Sequence, residues 1–350
     1  MTLPVSKKTA LLVGAAGTGL VLARRRASAR GVDNPVPEPM PSVPPPPAGR
    51  ARSVLTEDGV ELSVVEHGAQ EDQTSTVVLA HGYVQSSKLW NGQVRDLIDA
   101  RPDLKVVTYD HRGHGRSGRT HREKANISQL GRDMARVVQE VAPSGPVVVG
   151  GHSMGGMTVI ALAEEHPELF ESRIVGAAFV GTSAGELAAV NYGLPAPVAK
   201  VVKKLMPVLN EKAVKAELAG KPRKVGPLDA RMIFPKGADP LLVQEALDVH
   251  RECSAETVAA FQATFSDHDR RVALEALSHV PAVVVVGDKD ALCPLAHSQA
   301  LADALPTSEL TVFPGVGHMV HMERRQEVSR ILVGLVDRAV TGRPRTLATV

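Results

Sequence analysis

The feature that most constrains this chain is a glycine-flanked serine between a strand-like segment and a helix-like one. The pentapeptide Gly151-His152-Ser153-Met154-Gly155 follows a β-branched run at 147–149 and precedes residues 156–163, which suit a helix. In so tight a turn, side chains two positions either side of the serine would clash, and glycine removes their Cβ atoms. Unless this is a chance match in a glycine-rich loop, the pattern predicts a strained turn that presents a serine at a helix N-terminus, a nucleophile elbow.

Composition excludes several other classes of protein. A chain of 350 residues can bury one large core or two modest ones, and 43% hydrophobic with 22% charged residues is typical of a soluble globular body. A net charge of +2 and only 3% aromatic residues give no case for a nucleic-acid partner. The two cysteines, Cys253 and Cys293, fit no metal-binding spacing, and nothing in the sequence calls for a disulfide between them.

The N-terminal residues 1–30 carry an uncharged run, residues 9–23, between basic flanks. As a helix this run would be about 22 Å long, shorter than the roughly 30 Å hydrocarbon core of a bilayer. Three interpretations remain open: a membrane anchor with snorkelling basic flanks, a signal peptide cleaved after Ala27-Ser28-Ala29, and a disordered tail. A membrane anchor would place the protein on a membrane, on a side that the sequence leaves undetermined, and a disordered tail would leave it in the cytoplasm. Secretion by way of a signal peptide is the less favoured interpretation.

Residues 31–50 form a proline-rich linker. Eight of the chain's 25 prolines lie between Pro35 and Pro47. Such a segment adopts extended polyproline II structure, so it is interpreted as a spacer, with an SH3-type ligand as the less favoured alternative.

From residue 52 the pattern becomes that of an α/β protein. Two strand-like segments flank Asp58-Gly59, which predicts an antiparallel hairpin at the edge of a sheet. Buried-strand runs then alternate with helical patterns, which predicts a mostly parallel sheet flanked by helices. The runs occupy residues 76–79, 106–109, 147–149, 174–180, 283–286 and 310–313.

The alternation breaks between residues 183 and 275, where only helical patterns occur. This stretch is too long for a loop, so it is predicted to be an inserted helical cap. The α/β core would then comprise residues 51–182 and 276–342, followed by a tail at 343–350.

An acid and a base follow Ser153 in the order Ser, Asp, His, each just after a predicted strand. A serine hydroxyl needs a histidine base oriented by a carboxylate, and active sites of such sheets lie at the carboxyl ends of the strands. Asp290 and His318 are therefore the predicted acid and base. Asp288 and His321 are the alternatives, although His321 should already lie on the next helix.

The tetrahedral intermediate of acyl transfer needs two N–H donors. One should be the backbone N–H of Met154, which follows the nucleophile. The other should be that of Tyr83, in the loop His81-Gly82-Tyr83 after the strand at 76–79. His81 itself is expected to be structural.

A histidine-rich segment at 110–117 suggests a metal site, with His121 nearby. No spacing within it matches a zinc site, so a loop held by hydrogen bonds beneath the active site is the favoured interpretation.

These segments together resemble the α/β-hydrolase superfamily over about residues 53–340. The matching positions are His81-Gly82, residues 110–117, residues 151–156, residues 287–290 and Gly317-His318. The resemblance implies that these positions are, in the same order, an oxyanion loop, a structural loop, the elbow, the acid and the base. It also implies that Glu323 is a further structural acid. It implies no cofactor and no metal. A serine at the nucleophile position departs from epoxide hydrolases and haloalkane dehalogenases.

Within the superfamily the motifs look like those of bacterial esterases, monoacylglycerol lipases and cofactor-free haloperoxidase-like enzymes. The expected function is hydrolysis of small carboxylic esters with an apolar acyl group through an acyl-enzyme. The alternatives are a perhydrolase or haloperoxidase-like activity, and a non-catalytic protein that kept the fold.

The predicted cap is basic. Residues 200–224 contain eight lysines and arginines against two glutamates, which suggests either a solvated helix face or a surface that binds anionic lipid. Several apolar residues of the cap are expected to form pocket walls or plain core: Leu205, Met206, Leu209, Met232, Phe234, Phe261 and Phe265.

Overall fold

The computed structural model describes residues 48–71 and 73–341, and they contain an eight-stranded sheet. The order of the strands across the sheet is β1-β2-β4-β3-β5-β6-β7-β8. Strands β1 and β2 form the predicted edge hairpin, β2 pairs antiparallel with β4, and the remaining pairs are parallel. The strands are β1 (Arg50–Leu55), β2 (Glu61–Gly68), β3 (Ser75–Ala80), β4 (Leu104–Tyr109), β5 (Val147–His152), β6 (Ile174–Val180), β7 (Ala282–Gly287) and β8 (Ser308–Phe313).

Helices cover both faces of this sheet, as the sequence predicts. One apolar cluster joins α2 and α3 to the sheet, and a second joins α1 and α11 to it. The helices are α1 (Asn91–Ala100), α2 (Ile127–Val141), α3 (Met154–Glu165), α4 (Pro167–Ser172), α5 (Ala196–Leu218), α6 (Pro227–Ile233), α7 (Pro240–Glu252), α8 (Ala255–Gln262), α9 (Leu295–Ala304), α10 (Val320–Glu323) and α11 (Arg325–Thr341).

The central strands are apolar on both faces because helices lie on both sides of them. Every residue of β3, β4, β5 and β7 is buried, whereas the edge strand β8 is only partly covered. This is the reason that the sequence shows continuous β-branched runs here instead of alternating polar and apolar residues. The predicted mostly parallel sheet flanked by helices is therefore confirmed.

The chain between β6 and β7 is helical, and it contains α5, α6, α7 and α8. The 3₁₀ segment Arg271–Leu277 ends this stretch, and its Leu274 and Leu277 are buried in the core cluster that includes α2 and α3. The cap boundaries at 183 and 275 stay a prediction.

Several expectations concern residues that the structure does not describe. The anchor or signal segment at 1–30, all but the end of the linker at 31–50, and the tail at 343–350 lie outside the described residues. Among the residues that are described, no helix has both the length and the apolar character needed to cross a membrane. Cys253 and Cys293 are both buried and both free, so no disulfide joins them.

Candidate active site

The turn between β5 and α3 places Ser153 in a strained backbone conformation. Its φ is 52° and its ψ is −117°, in a region that residues with a side chain rarely occupy. A Cβ on Gly151 would lie 2.1 Å from the carbonyl carbon of Gly155, and one on Gly155 would lie 2.2 Å from the carbonyl oxygen of Ala80. Both approaches involve backbone atoms, so the turn exists only because these two positions are glycine.

The loops after β7 and β8 bring Asp290 and His318 into contact. The Nδ1–H of His318 donates to Oδ2 of Asp290 at 2.8 Å, and both side chains are buried. The other carboxylate oxygen, Oδ1, accepts the backbone N–H groups of Leu292 at 2.9 Å and Cys293 at 2.8 Å. These bonds orient the imidazole so that its Nε2 is free to accept a proton.

Asp288 and His321, the alternatives to the predicted acid and base, lie in environments unlike those of Asp290 and His318. Oδ1 of Asp288 accepts the backbone N–H of Gly315 at 2.7 Å, and Oδ2 pairs with Lys289 at 3.1 Å. His321 lies on α10, where its ring packs against Trp90 at 4.8 Å between centroids and against His152 at 4.2 Å. Burial lowers the pKa of His321 to about 3, so this imidazole is neutral.

Ser153 lies beside this pair but does not hydrogen-bond to it. Its neighbour His152 donates from Nε2 to the carbonyl oxygen of His318 at 2.9 Å, which joins the elbow to the loop of the base. The Ser153 side chain interacts with the thiol of Cys293, and among the described residues its hydroxyl makes no bond to His318. A hydrogen bond between nucleophile and base commonly tightens only when substrate is bound.

Cys293 is a site residue that the sequence analysis missed. Its backbone N–H binds the carboxylate of Asp290 and its thiol reaches Ser153, so it connects acid and nucleophile. Burial raises the thiol pKa well above its ordinary value, which keeps the group uncharged. The only signal in the sequence was its position three residues after the acid, and that spacing has no chemical meaning until the loop is folded.

A buried polar contact also links the elbow to the loop after β3. The backbone N–H of Gly82 donates to Oε1 of Gln85 at 3.2 Å, and Nδ1 of His152 lies 3.2 Å from the same oxygen. The amide nitrogen of Gln85 contacts the sulfur of Met319 at 3.3 Å. Gln85 therefore touches the three segments that carry the candidate oxyanion loop, nucleophile and base.

The two predicted oxyanion donors lie at the start of a helix and in a tight turn. Met154 is the first residue of α3, where backbone N–H groups have no acceptor within the helix. Tyr83 lies in the turn closed by the bond from Gln85 N–H to Gly82 O, at 3.3 Å. The phenol of Tyr83 donates to the carbonyl of Val258 in α8, and burial raises its pKa, so it stays protonated.

Hydrogen bonds hold the histidine-rich loop at 110–117 under the loop that follows β3. The backbone N–H of His111 donates to Nε2 of His81 at 2.9 Å, and Nε2 of His111 donates to the carbonyl oxygen of His81 at 3.0 Å. Arg112 is fully buried, and Asp133 and Asp58 bind its guanidinium. These contacts give the loop a structural role, and no group of metal-ligating side chains occurs in the described part of the chain.

Glu323 supports the loop of the base. Its Oε1 accepts the backbone N–H of Gly317 at 2.9 Å, one residue before His318. Burial raises the pKa of this carboxyl to about 7.

An apolar cluster surrounds the N-terminus of α3. Its members are Ala125, Ile127, Leu130, Met154, Met157, Ala161, Leu187, Val190, Ala260, Phe261 and Cys293, with Tyr83, Tyr192 and Phe265 packed against them. Phe261 and Phe265 thus lie where a pocket wall was expected, whereas Phe234 packs elsewhere, with Met319. The expectation was wrong for Leu205, Leu209 and Met232, because all three are exposed.

The chain is similar in sequence to known hydrolases. The family model Hydrolase_4, described as serine aminopeptidase, S33, matches residues 71–325. The chain is 31% identical over 262 residues to the monoacylglycerol lipase of Mycolicibacterium smegmatis, covering 73% of this chain and 85% of that protein. It is 27% identical to a protein of Caulobacter sp. (strain K31) provisionally named carbamate hydrolase RutD, covering 75% of this chain and 90% of the other.

A solved structure supports the fold. The esterase from Exiguobacterium antarcticum superposes with a TM-score of 0.68 at 20% identity, covering 82% of this chain and all of that one.

We expect Gly155→Ala to lower the free energy of unfolding by about 3 kcal/mol, because the new methyl group would press on backbone that cannot move aside. Urea denaturation measures the change. Gly334→Ala is the matched control, since it is also helical and its Cβ would have 3.7 Å of clearance; its stability should change by no more than about 1 kcal/mol. Equal stability of the two variants would contradict the packing argument.

We expect Glu323→Gln to become more stable relative to the wild type as the pH rises. In the folded wild type the Glu323 pKa lies near 7, above its ordinary 4.5, so the folded state binds the proton more tightly. That contribution to stability is complete below about pH 4.5 and is lost as the pH rises through about 7. Urea titrations of both proteins from about pH 5 to about pH 8 measure the difference in their free energies of unfolding. If that difference does not change with pH, the raised pKa of Glu323 is refuted.

Proposed function

Since the chain belongs to the Hydrolase_4 family (serine aminopeptidase, S33) of α/β-hydrolase-fold enzymes, we propose that it is a serine hydrolase that cleaves carboxylic esters through an acyl-enzyme. The observation that carries this proposal is the buried Asp290–His318 pair beside the strained serine at the start of α3. A carboxylate that orients an imidazole beside a serine hydroxyl is the arrangement that serine nucleophiles require.

In the proposed mechanism His318 takes the hydroxyl proton of Ser153 on Nε2 as the oxygen attacks the ester carbonyl. The N–H groups of Tyr83 and Met154 stabilise the resulting oxyanion. As the intermediate collapses, His318 gives the proton to the departing alkoxide, which leaves as an alcohol. Water then attacks the acyl-serine by the same route and releases the carboxylic acid, while Asp290 holds His318 in the reactive tautomer throughout.

The apolar cluster at the N-terminus of α3 supports an apolar acyl group as the substrate's main recognition element. Met154, Met157 and Phe261 belong to this cluster and offer no charged partner to a ligand. The relative named monoacylglycerol lipase is consistent with that choice. We also propose that residues 183–275 act as the cap over this cluster, because α8 supplies Phe261 and binds the hydroxyl of Tyr83.

We expect Ser153→Ala to lower kcat for p-nitrophenyl esters at least about 10⁴-fold, because the acyl-enzyme cannot form. Ser298→Ala is the matched control: this serine is buried without a hydrogen-bond partner among the described residues, and its loss should leave turnover unchanged. A fluorophosphonate probe should label the wild type and the control but not Ser153→Ala. A wild type that neither labels nor turns over esters would favour a non-catalytic protein. Halogenation that depends on peroxide would favour the haloperoxidase-like alternative.

We expect Asp290→Asn to lower kcat by about 10⁴-fold, because the amide would hold His318 in the unreactive tautomer. Asp288→Asn tests the neighbouring acid, which binds Gly315 and Lys289 instead of His318, and it should leave kcat nearly unchanged. Steady-state kinetics on one short-chain ester measures both variants. A larger loss in Asp288→Asn than in Asp290→Asn would reverse the assignment.

A further inference from the structure

Helix α5 presents an apolar stripe to solvent. Its members follow one another at helical spacing, each between 47% and 58% exposed, and they are Val198, Val201, Leu205, Val208 and Leu209. At about 100° per residue they occupy an arc of about 100° on one side of the helix. The opposite side of α5 packs on the protein, where Ala199 and Asn210 are buried.

Lysines lie within and along one edge of this stripe. Lys204, Lys212 and Lys215 are exposed, and none of them forms an ion pair with any residue in the described ranges. The two glutamates of the helix are engaged elsewhere: Glu211 pairs with Arg122 at 2.8 Å, and Glu217 accepts the backbone N–H of Ala255 at 2.8 Å. The solvent side of α5 is therefore apolar and positively charged together.

This combination matches one kind of partner better than others. A helix that lies in a membrane interface has an apolar side that enters the headgroup boundary and lysines that meet anionic headgroups. A second copy of the chain would bring two sets of unpaired lysines together, which electrostatic repulsion opposes. An acidic lipid surface satisfies both the apolar residues and the charges.

The helix is also connected to the candidate active site. Lys203 on α5 donates to the carbonyl of Ala188, and its ammonium lies 5.4 Å from the centre of the Tyr192 ring. Tyr192 packs against the apolar cluster that contains Met154. A surface that holds α5 would thus lie close to the segment that lines the proposed acyl site.

We propose that this side of α5 docks the enzyme on the surface of an anionic lipid bilayer. The apolar stripe enters the headgroup boundary while Lys204, Lys212 and Lys215 bind the negatively charged headgroups. The docking requires no catalysis, so its test can fail while the proposed esterase activity is confirmed, and the reverse.

The test is cosedimentation of the full chain with vesicles of phosphatidylcholine, with and without phosphatidylglycerol. Wild type should bind the anionic vesicles preferentially and be released by high salt. Leu205→Gln/Leu209→Gln should weaken the partition coefficient at least about tenfold. Lys204→Gln/Lys212→Gln should weaken it about fivefold for each lysine removed.

Matched controls use exposed residues away from the stripe. Leu218→Gln changes an exposed leucine of the same helix that points about 130° away from the centre of the stripe. Arg330→Gln removes one exposed positive charge from the α/β core. Both controls should bind like wild type, and turnover of a water-soluble ester should be the same in all the variants.

Four results would overturn the proposal. The first is no binding of wild type to anionic vesicles, and the second is equal binding to neutral ones. The third is unchanged binding of the stripe variants, which would assign the attachment to another part of the chain such as residues 9–23. The fourth is a dimer in sedimentation velocity that Leu205→Gln/Leu209→Gln dissolves, which would identify a second copy as the occupant.

Discussion

The approach of three backbone segments at the elbow is the constraint on which the site depends. A Cβ at Gly151 would overlap the backbone of Gly155, and a Cβ at Gly155 would overlap that of Ala80. This contact lets α3 begin directly after β5, so that Ser153 stands at the helix N-terminus with its φ at 52°. The strain of that residue is tolerated because buried strands on both sides fix the positions of its neighbours.

Buried hydrogen bonds then hold the other loops against the elbow. His152 binds the carbonyl of His318, Gln85 contacts Gly82 and His152, and His111 binds His81. Polar groups removed from water must find partners within the protein, so these contacts fix where each loop lies. We therefore expect that a change in one loop alters the positions of the acid, the base and the oxyanion donors together.

Much of the fold could be predicted because its signals are local. Buried β-branched runs indicated the central strands, and the position of Asp290 and His318 after two of them placed both at one edge of a parallel sheet. The roles of Cys293 and Gln85 could not be predicted, since each depends on contacts between segments distant in sequence. The expectation for Leu205 and Leu209 failed because helical periodicity reveals an apolar side without revealing what that side faces.

The sequence by itself determined the order of the elements, the glycines of the turn and the sequence order of serine, acid and base, because these follow from short-range sterics and periodicity. Only the tertiary structure decided that Asp290 rather than Asp288 bonds to His318, and that Cys293 reaches Ser153. It also decided that one side of α5 faces solvent. These outcomes depend on distances between loops of different strands, which are set by the packing of the whole sheet and its helices.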